Sequence, residues 1–143
     1  MFQTTLYIAA GGALGTTLRY WIAVWLMLLN RDLPWSTILI NIVGSFLISL
    51  FAALTAAQAR YLLPELWLEA FVVGVCGGFM TFSSFSLQTV DLLRAGAPMR
   101  ALVNVGLTVT LCIAAAAVGY VVAASINRSV AYDAKFLIQQ RAE

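Results

Sequence analysis

"GVCGGFMTFSSFS", residues Gly74 to Ser86, packs three glycines, four hydroxyl side chains (Thr81, Ser83, Ser84 and Ser86) and three phenylalanines into thirteen positions. Glycine weakens a helix, and small hydroxyl residues compete with the backbone for its hydrogen bonds. Yet the stretch lies inside a charge-free run of 21 residues, Ala70 to Val90. A run of about 20 apolar residues crosses a bilayer core. The combination predicts a membrane helix that breaks partway across. Backbone groups freed at such a break are tolerated only where protein buries them, an ion binds them or water reaches them.

The rest of the chain supports the membrane reading. Ser36 to Gln58 is a second charge-free run of 23 residues, and Ala101 to Asn127 a third of 27. Met1 to Asn30 is interrupted only by Arg19. Hydrophobic residues make up 62% of the 143-residue chain and charged residues 10%, against about 25% charged in soluble domains. The pattern predicts an all-α membrane protein with four transmembrane helices, at about residues 4–29, 36–58, 67–94 and 98–126, the third broken. Residues 1–127 form the transmembrane domain and 128–143 a polar C-terminal tail, read either as a weak interfacial helix carrying Val130, Phe136 and Ile138 or as disordered. The first hydrophobic segment is too long for a signal-peptide core, so no cleavage is expected.

The connections are short: "NRDLPW" (Asn30–Trp35), "ARYLLPE" (Ala59–Glu65) and "RAGAP" (Arg94–Pro98). Gly96 is placed as a C-terminal cap and Pro98 as a first-turn residue. Trp21, Trp25, Trp35 and Trp67 lie near predicted helix ends, where aromatic belts form. With both termini on one face, that face carries Arg60, Arg128, Lys135 and Arg141, and the other Arg31, Arg94 and Arg100. The positive-inside rule needs an excess that is nearly missing here. Either a few residues or the tail decide orientation, or the chain inserts both ways up.

Chemistry is narrowed by what the spans lack. The chain has no histidine and only two cysteines, Cys76 and Cys112, both within predicted helices. That argues against a zinc site or structural disulfide. No catalytic group is assigned, and the chain is not read as an enzyme. No Asp, Glu or Lys falls deep in a span, where a proton relay or a cation pore would need one. The multidrug-type small transporters, also four-helix proteins, need such a glutamate. What remains at depth is Arg19, Asn41, hydroxyls and phenyl rings. Arg19 either snorkels to an interface or draws anions to a vestibule. Asn41 either joins helices or offers N–H groups to an anion. Phe82 and Phe85 share a helix face at i, i+3. They either pack a core or turn their positive ring edges toward an anion. The small residues Gly11, Gly12, Gly15, Gly44, Gly74, Gly77 and Gly78 permit close helix approach and suit an oligomer. A non-transporting assembly protein is the other rival.

"GGALGTTLRY", "NIVGSF" and "GGFMTFSSFS", in this order and over Thr4 to Asn127, resemble the Fluc/CrcB family of fluoride channels. The resemblance implies a passive, fluoride-selective channel of the cell inner membrane that confers fluoride resistance. It implies an antiparallel, dual-topology homodimer with two fluoride pathways lined by both subunits. The pathway residues carried over are Arg19, Asn41, Phe82 and Phe85, with Thr81, Ser83, Ser84, Asn104 and Thr108 as further polar lining. A central structural Na+ is implied on the backbone carbonyls of Gly77 and Met80. The family pattern usually reads "TTFSTFS" where this chain has "MTFSSFS". Met80 therefore lacks a hydroxyl, while Ser84 keeps one. Cys112 stands where a serine is common and is a weak donor.

Overall fold

The computed structural model describes residues 2–55 and 64–140, and these are helical throughout apart from short connections. Helix α1 spans Phe2–Trp25 and is followed by a 3-10 turn, Met27–Leu29. Helix α2 spans Trp35–Leu54. The third segment is composite: α3 (Glu65–Glu69), a π-helix (Ala70–Cys76), the single turn α4 (Gly77–Phe79) and, after a break, α5 (Phe82–Arg94). Helix α6 runs from Pro98 to Gln140. The expected connection Ala59–Glu65, with Arg60 and the end of the second predicted span, lies mostly outside the described residues.

Three segments are long and apolar enough to cross a membrane: Trp35–Leu54, Leu66–Arg94 and Pro98–Arg128. Helix α1 has 24 residues, enough to span at about 1.5 Å per residue. Its glycines, threonines, Gln3 and Arg19 leave it less apolar than the other three. Helix α6 has 43 residues and is about twice as long as the roughly 30 Å hydrocarbon core requires. It passes residue 128 without a break, so the tail continues this helix through Gln140. No change of secondary structure marks the expected domain boundary.

Sequence explains the ends. Asn30 caps α2 from six residues away: Ser36 N donates to Asn30 Oδ1 at 3.0 Å, and Asn30 Nδ2 donates to Ser36 Oγ at 2.8 Å. Helix α5 ends in a glycine cap. Gly96 takes φ 72°, Ala97 N donates to Leu92 O at 2.9 Å and Gly96 N to Leu93 O at 3.0 Å. This double closure needs the left-handed conformation that glycine tolerates. Pro98 then starts α6. The α1–α2 connection and the start of α6 meet on one face, where Arg100 pairs with Asp32 at 2.9 Å.

The helices form two parallel pairs. Helix α1 lies along the π-helix and α4, and its small residues decide the spacing. A Cβ on Gly15 would overlap the Val75 carbonyl. Helix α2 packs most extensively on α6, with Gly119 against the Phe46 carbonyl and Asn127 Nδ2 bonded to Ala53 O at 3.1 Å. Burial is inverted relative to a water-soluble bundle. Ser36, Thr37, Asn41, Thr81, Asn104 and Thr108 are buried, whereas many leucines, valines and tryptophans are exposed. A lipid surroundings favours this arrangement, because polar groups at membrane depth must find partners inside the protein.

Candidate functional site

The third segment breaks at Met80 and Thr81, which are extended (φ −74°, ψ 154° and φ −147°, ψ 100°). The break follows the glycines rather than falling on them. Gly74 and Gly78 instead bring the π-helix and α4 against α1: a Cβ on Gly74 would lie 2.8 Å from Ile8 O, and one on Gly78 2.6 Å from Gly12 O.

Asn41 closes the break from α2. Thr81 N donates to Asn41 Oδ1 at 2.9 Å, and Asn41 Nδ2 donates to Thr81 O at 3.2 Å. One side-chain amide thus takes both backbone groups of Thr81, as a neighbouring strand would. Its second Nδ2 hydrogen remains for another acceptor. The Thr81 side chain caps α5: its Oγ1 accepts from Ser84 N at 3.1 Å and donates to Ser84 Oγ at 2.9 Å, with Ser83 Oγ 3.2 Å away. Both arrangements redirect helical donors. In an unbroken helix Thr81 N would donate to Gly77 O, and Ser84 N to Met80 O. Here those donors go to Asn41 and to Thr81 Oγ1. The break relieves four carbonyls of their helical donors, those of Gly77, Gly78, Phe79 and Met80, and the Gly78 carbonyl accepts instead from Thr16 Oγ1 at 3.4 Å.

Beside the break is a cavity of about 380 Å³ lined by Asn41 and Ser45 of α2, Met80, Phe82 and Phe85 of the third segment, and Thr108, Val109, Cys112 and Ile113 of α6. Five residues expected from sequence therefore meet there: Asn41, Met80, Phe82, Phe85 and Thr108. The phenylalanine rings are 5.4 Å apart and tilted by 49°. Phe85 is 7% exposed, but Phe82 is 76% exposed. Thr108 Oγ1 is buried and has no hydrogen-bond partner among the described residues.

Other candidates fall outside this lining. Thr81, Ser83 and Ser84 form the capping cluster behind the break. Asn104 is fully buried one helical turn before Thr108. Its Nδ2 donates to Thr89 Oγ1 at 2.9 Å, and Thr89 Oγ1 donates to Phe85 O at 2.8 Å. Asn104 Oδ1 is unpaired among the described residues. Arg19 is not among the cavity residues either; its Nε is buried without a hydrogen-bond partner among the described residues. Sequence reasoning missed Ser45, although it sits at i+4 from Asn41 and so on the same helix face. It also missed Thr89, whose role depends on α6.

The family model of CrcB-like protein, Camphor Resistance (CrcB), matches residues 6–120, which include every residue of the break and the cavity. The chain belongs to the CrcB family. Curated relatives within the family are similar over nearly their whole length. The chain is 50% identical over 139 residues to a fluoride-specific ion channel FluC of Methylobacterium radiotolerans, covering 97% of each chain. It is 47% identical over 129 residues to the Rhodospirillum rubrum protein of the same description, covering 90% of this chain and 100% of the relative. A Gluconobacter oxydans relative, described in the same way, is 50% identical over 127 residues, 88% of each chain.

Proposed function

We propose that the protein is a passive fluoride-selective channel of the cell inner membrane and works as an antiparallel, dual-topology homodimer. The observation that carries this reading is the convergence of Asn41, Phe82, Phe85 and Thr108 on one cavity. The family's members described as fluoride-specific ion channels support it. They are channels and not enzymes. Fluoride is small, hard and strongly hydrated, so a path for it must replace water with donors. The free N–H of Asn41, the Thr108 hydroxyl and the positive edges of two rings are such donors. None carries a full charge that would trap the ion. A narrow path lined in this way rejects larger anions. Arg19 raises the local anion concentration near the path, and Asn104, Ser83 and Ser84 extend its polar lining.

In this reading α1 is the fourth membrane crossing, and the partner subunit covers the exposed face of Phe82. The Gly77 and Met80 carbonyls suit a hard cation that prefers oxygen ligands. Two symmetric copies would offer four such oxygens to a structural Na+ at the dimer centre, which would brace the two breaks. HF entering from an acidic exterior ionises in the neutral cytoplasm, and the channel returns the ion down its gradient. Cells gain fluoride resistance. A multidrug-type transporter is not favoured, because no glutamate lies deep in the described spans.

The test is fluoride efflux from liposomes holding the purified protein, read by a fluoride electrode beside a chloride control. Fast fluoride release without chloride release is expected. Phe82→Ile and Phe85→Ile should each abolish release while the purified dimer survives. Normal fluoride release by both variants would sink the ring-edge reading.

A further inference from the structure

The cavity at the break is also lined by two sulfur-containing residues, and neither is assigned a part in the anion path. Cys112 lines it from α6 and is a free, half-buried thiol. Met80 lines it from the break. The Met80 thioether lies against α2, where a Cβ on Gly44 would come within 2.8 Å of its Sδ. The other cysteine, Cys76, is buried at 2% exposure and is not part of the lining.

Thiolate and thioether are soft donors, and together they select soft monovalent metal ions such as Cu(I). Methionine has three rotatable bonds and can swing its sulfur toward a ligand. A third group points the same way. Thr108 is 6% exposed, its Oγ1 has no partner among the described residues, and it lines the same cavity one turn before Cys112. Its oxygen can complete the site as a weak third ligand. The cavity of about 380 Å³ has room for an ion and several waters, each taking about 30 Å³.

We propose that Cys112 Sγ and Met80 Sδ bind a soft monovalent metal ion, Cu(I) or Ag(I), and that its occupancy closes the cavity to anions. On binding, the Cys112 S–H bond breaks, a sulfur–metal bond forms and the proton leaves to water. No electron moves. The thiolate and the monocation cancel, so the bound ion adds no charge that would attract fluoride, and it engages the Thr108 hydroxyl that the path would otherwise offer fluoride. The closing half of the proposal rests on the channel reading; the binding half does not.

Silver is the practical probe. Purified protein is incubated with Ag+ in chloride-free nitrate buffer, desalted, and its silver content measured by elemental mass spectrometry. One Ag+ per chain should be retained. Cys112→Ser and Met80→Leu should each weaken retention at least tenfold, while Cys76→Ala should retain silver as the unmodified protein does. No retention by the unmodified protein, or full retention by Cys112→Ser, would overturn the site. In liposomes, micromolar Ag+ should slow fluoride efflux at least tenfold for the unmodified protein and Cys76→Ala, but not for Cys112→Ser. Unchanged efflux from protein shown to hold silver would overturn the closing half. If the untreated protein releases no fluoride at all, the channel reading fails and the closing half with it, while silver retention still decides the site.

Discussion

Asn41→Ala isolates what holds the break open. The wild-type amide satisfies Thr81 N–H and Thr81 C=O at 2.9 and 3.2 Å, and both residues are 8% exposed. Truncation leaves two buried backbone groups without their partner. An unsatisfied buried group costs about 1–3 kcal/mol, so the loss amounts to roughly 2–6 kcal/mol if nothing replaces the amide. Water entering from the adjoining cavity would bring the cost toward the lower figure. The chain has one other escape: Thr81 N can return to Gly77 O, which closes the helix over the break and takes that carbonyl away from any cation. Either route damages the site. The measurement pairs equilibrium unfolding of the purified protein in detergent with fluoride efflux from liposomes. The expected result is a stability loss of about 2 kcal/mol or more, or a smaller loss with amide exchange at Thr81 slowed to helical values. Efflux falls sharply in both cases. A variant within about 0.5 kcal/mol of wild type that also transports normally would refute the idea that Asn41 organises the break, because additive scatter in such measurements is of that size.

Four further substitutions test the packing that positions the site. Gly15→Ala places a methyl group into the Val75 carbonyl and 3.0 Å from Phe79 N; backbone cannot move aside cheaply, so a loss of about 1–3 kcal/mol or more is expected in the same unfolding assay. Gly106→Ala is its control, since nothing lies within 4 Å, and it should be neutral or stabilising by up to about 1 kcal/mol; a large loss there would reveal a partner covering that face. Thr81→Val keeps the shape but removes the α5 cap, and should cost about 1 kcal/mol in unfolding free energy. Thr89→Val strips Asn104 Nδ2 of its bond to Thr89 inside a residue with no exposure, and should cost about 1–3 kcal/mol while loosening the backbone at Phe85.

The membrane class and the broken third segment were legible because each is a local property. Charge-free runs report the spans, and "GGFMTFSSFS" reports an interrupted helix by composition alone. What locality cannot supply is a partner forty residues away. Asn41 was legible as a buried amide in need of hydrogen bonds, but not as the clamp on Thr81. Thr81, Ser83 and Ser84 stood out as hydroxyls, yet the structure uses them first to cap α5. The π-helix Ala70–Cys76 left no trace in the pattern either. Seven residues are too few to distinguish its wider turn from an ordinary helix by periodicity. The α6 continuation through Gln140 crosses a change in composition that reads as a boundary, but the residues beyond it include good helix formers (Ala131, Ala134, Lys135, Leu137, Gln139) and no Gly or Pro to stop the helix.

The location of the break also explains why the site has donors to spare. A helix interrupted only by glycine would leave its freed N–H and C=O groups to each other or to water. This chain gives two of the freed N–H groups, those of Thr81 and Ser84, side-chain acceptors, Asn41 Oδ1 and Thr81 Oγ1. The break is thereby fixed without using the second Nδ2 hydrogen of Asn41 or the Thr108 hydroxyl, both of which belong to cavity-lining residues. On the other side of the same accounting, the carbonyls from Gly77 to Met80 lose their helical donors. Hydrogen-bond donors are left on the cavity side and backbone acceptors along the break itself. Under the proposed function this separation matches two ions of opposite sign: the donors suit an anion, and the carbonyls suit a cation. Asn41 is the residue on which both depend, since its amide redirects Thr81 N away from Gly77 and also faces the cavity. Substituting it should therefore disturb cation retention and anion passage together, whereas substituting Phe82 or Phe85 should disturb anion passage alone.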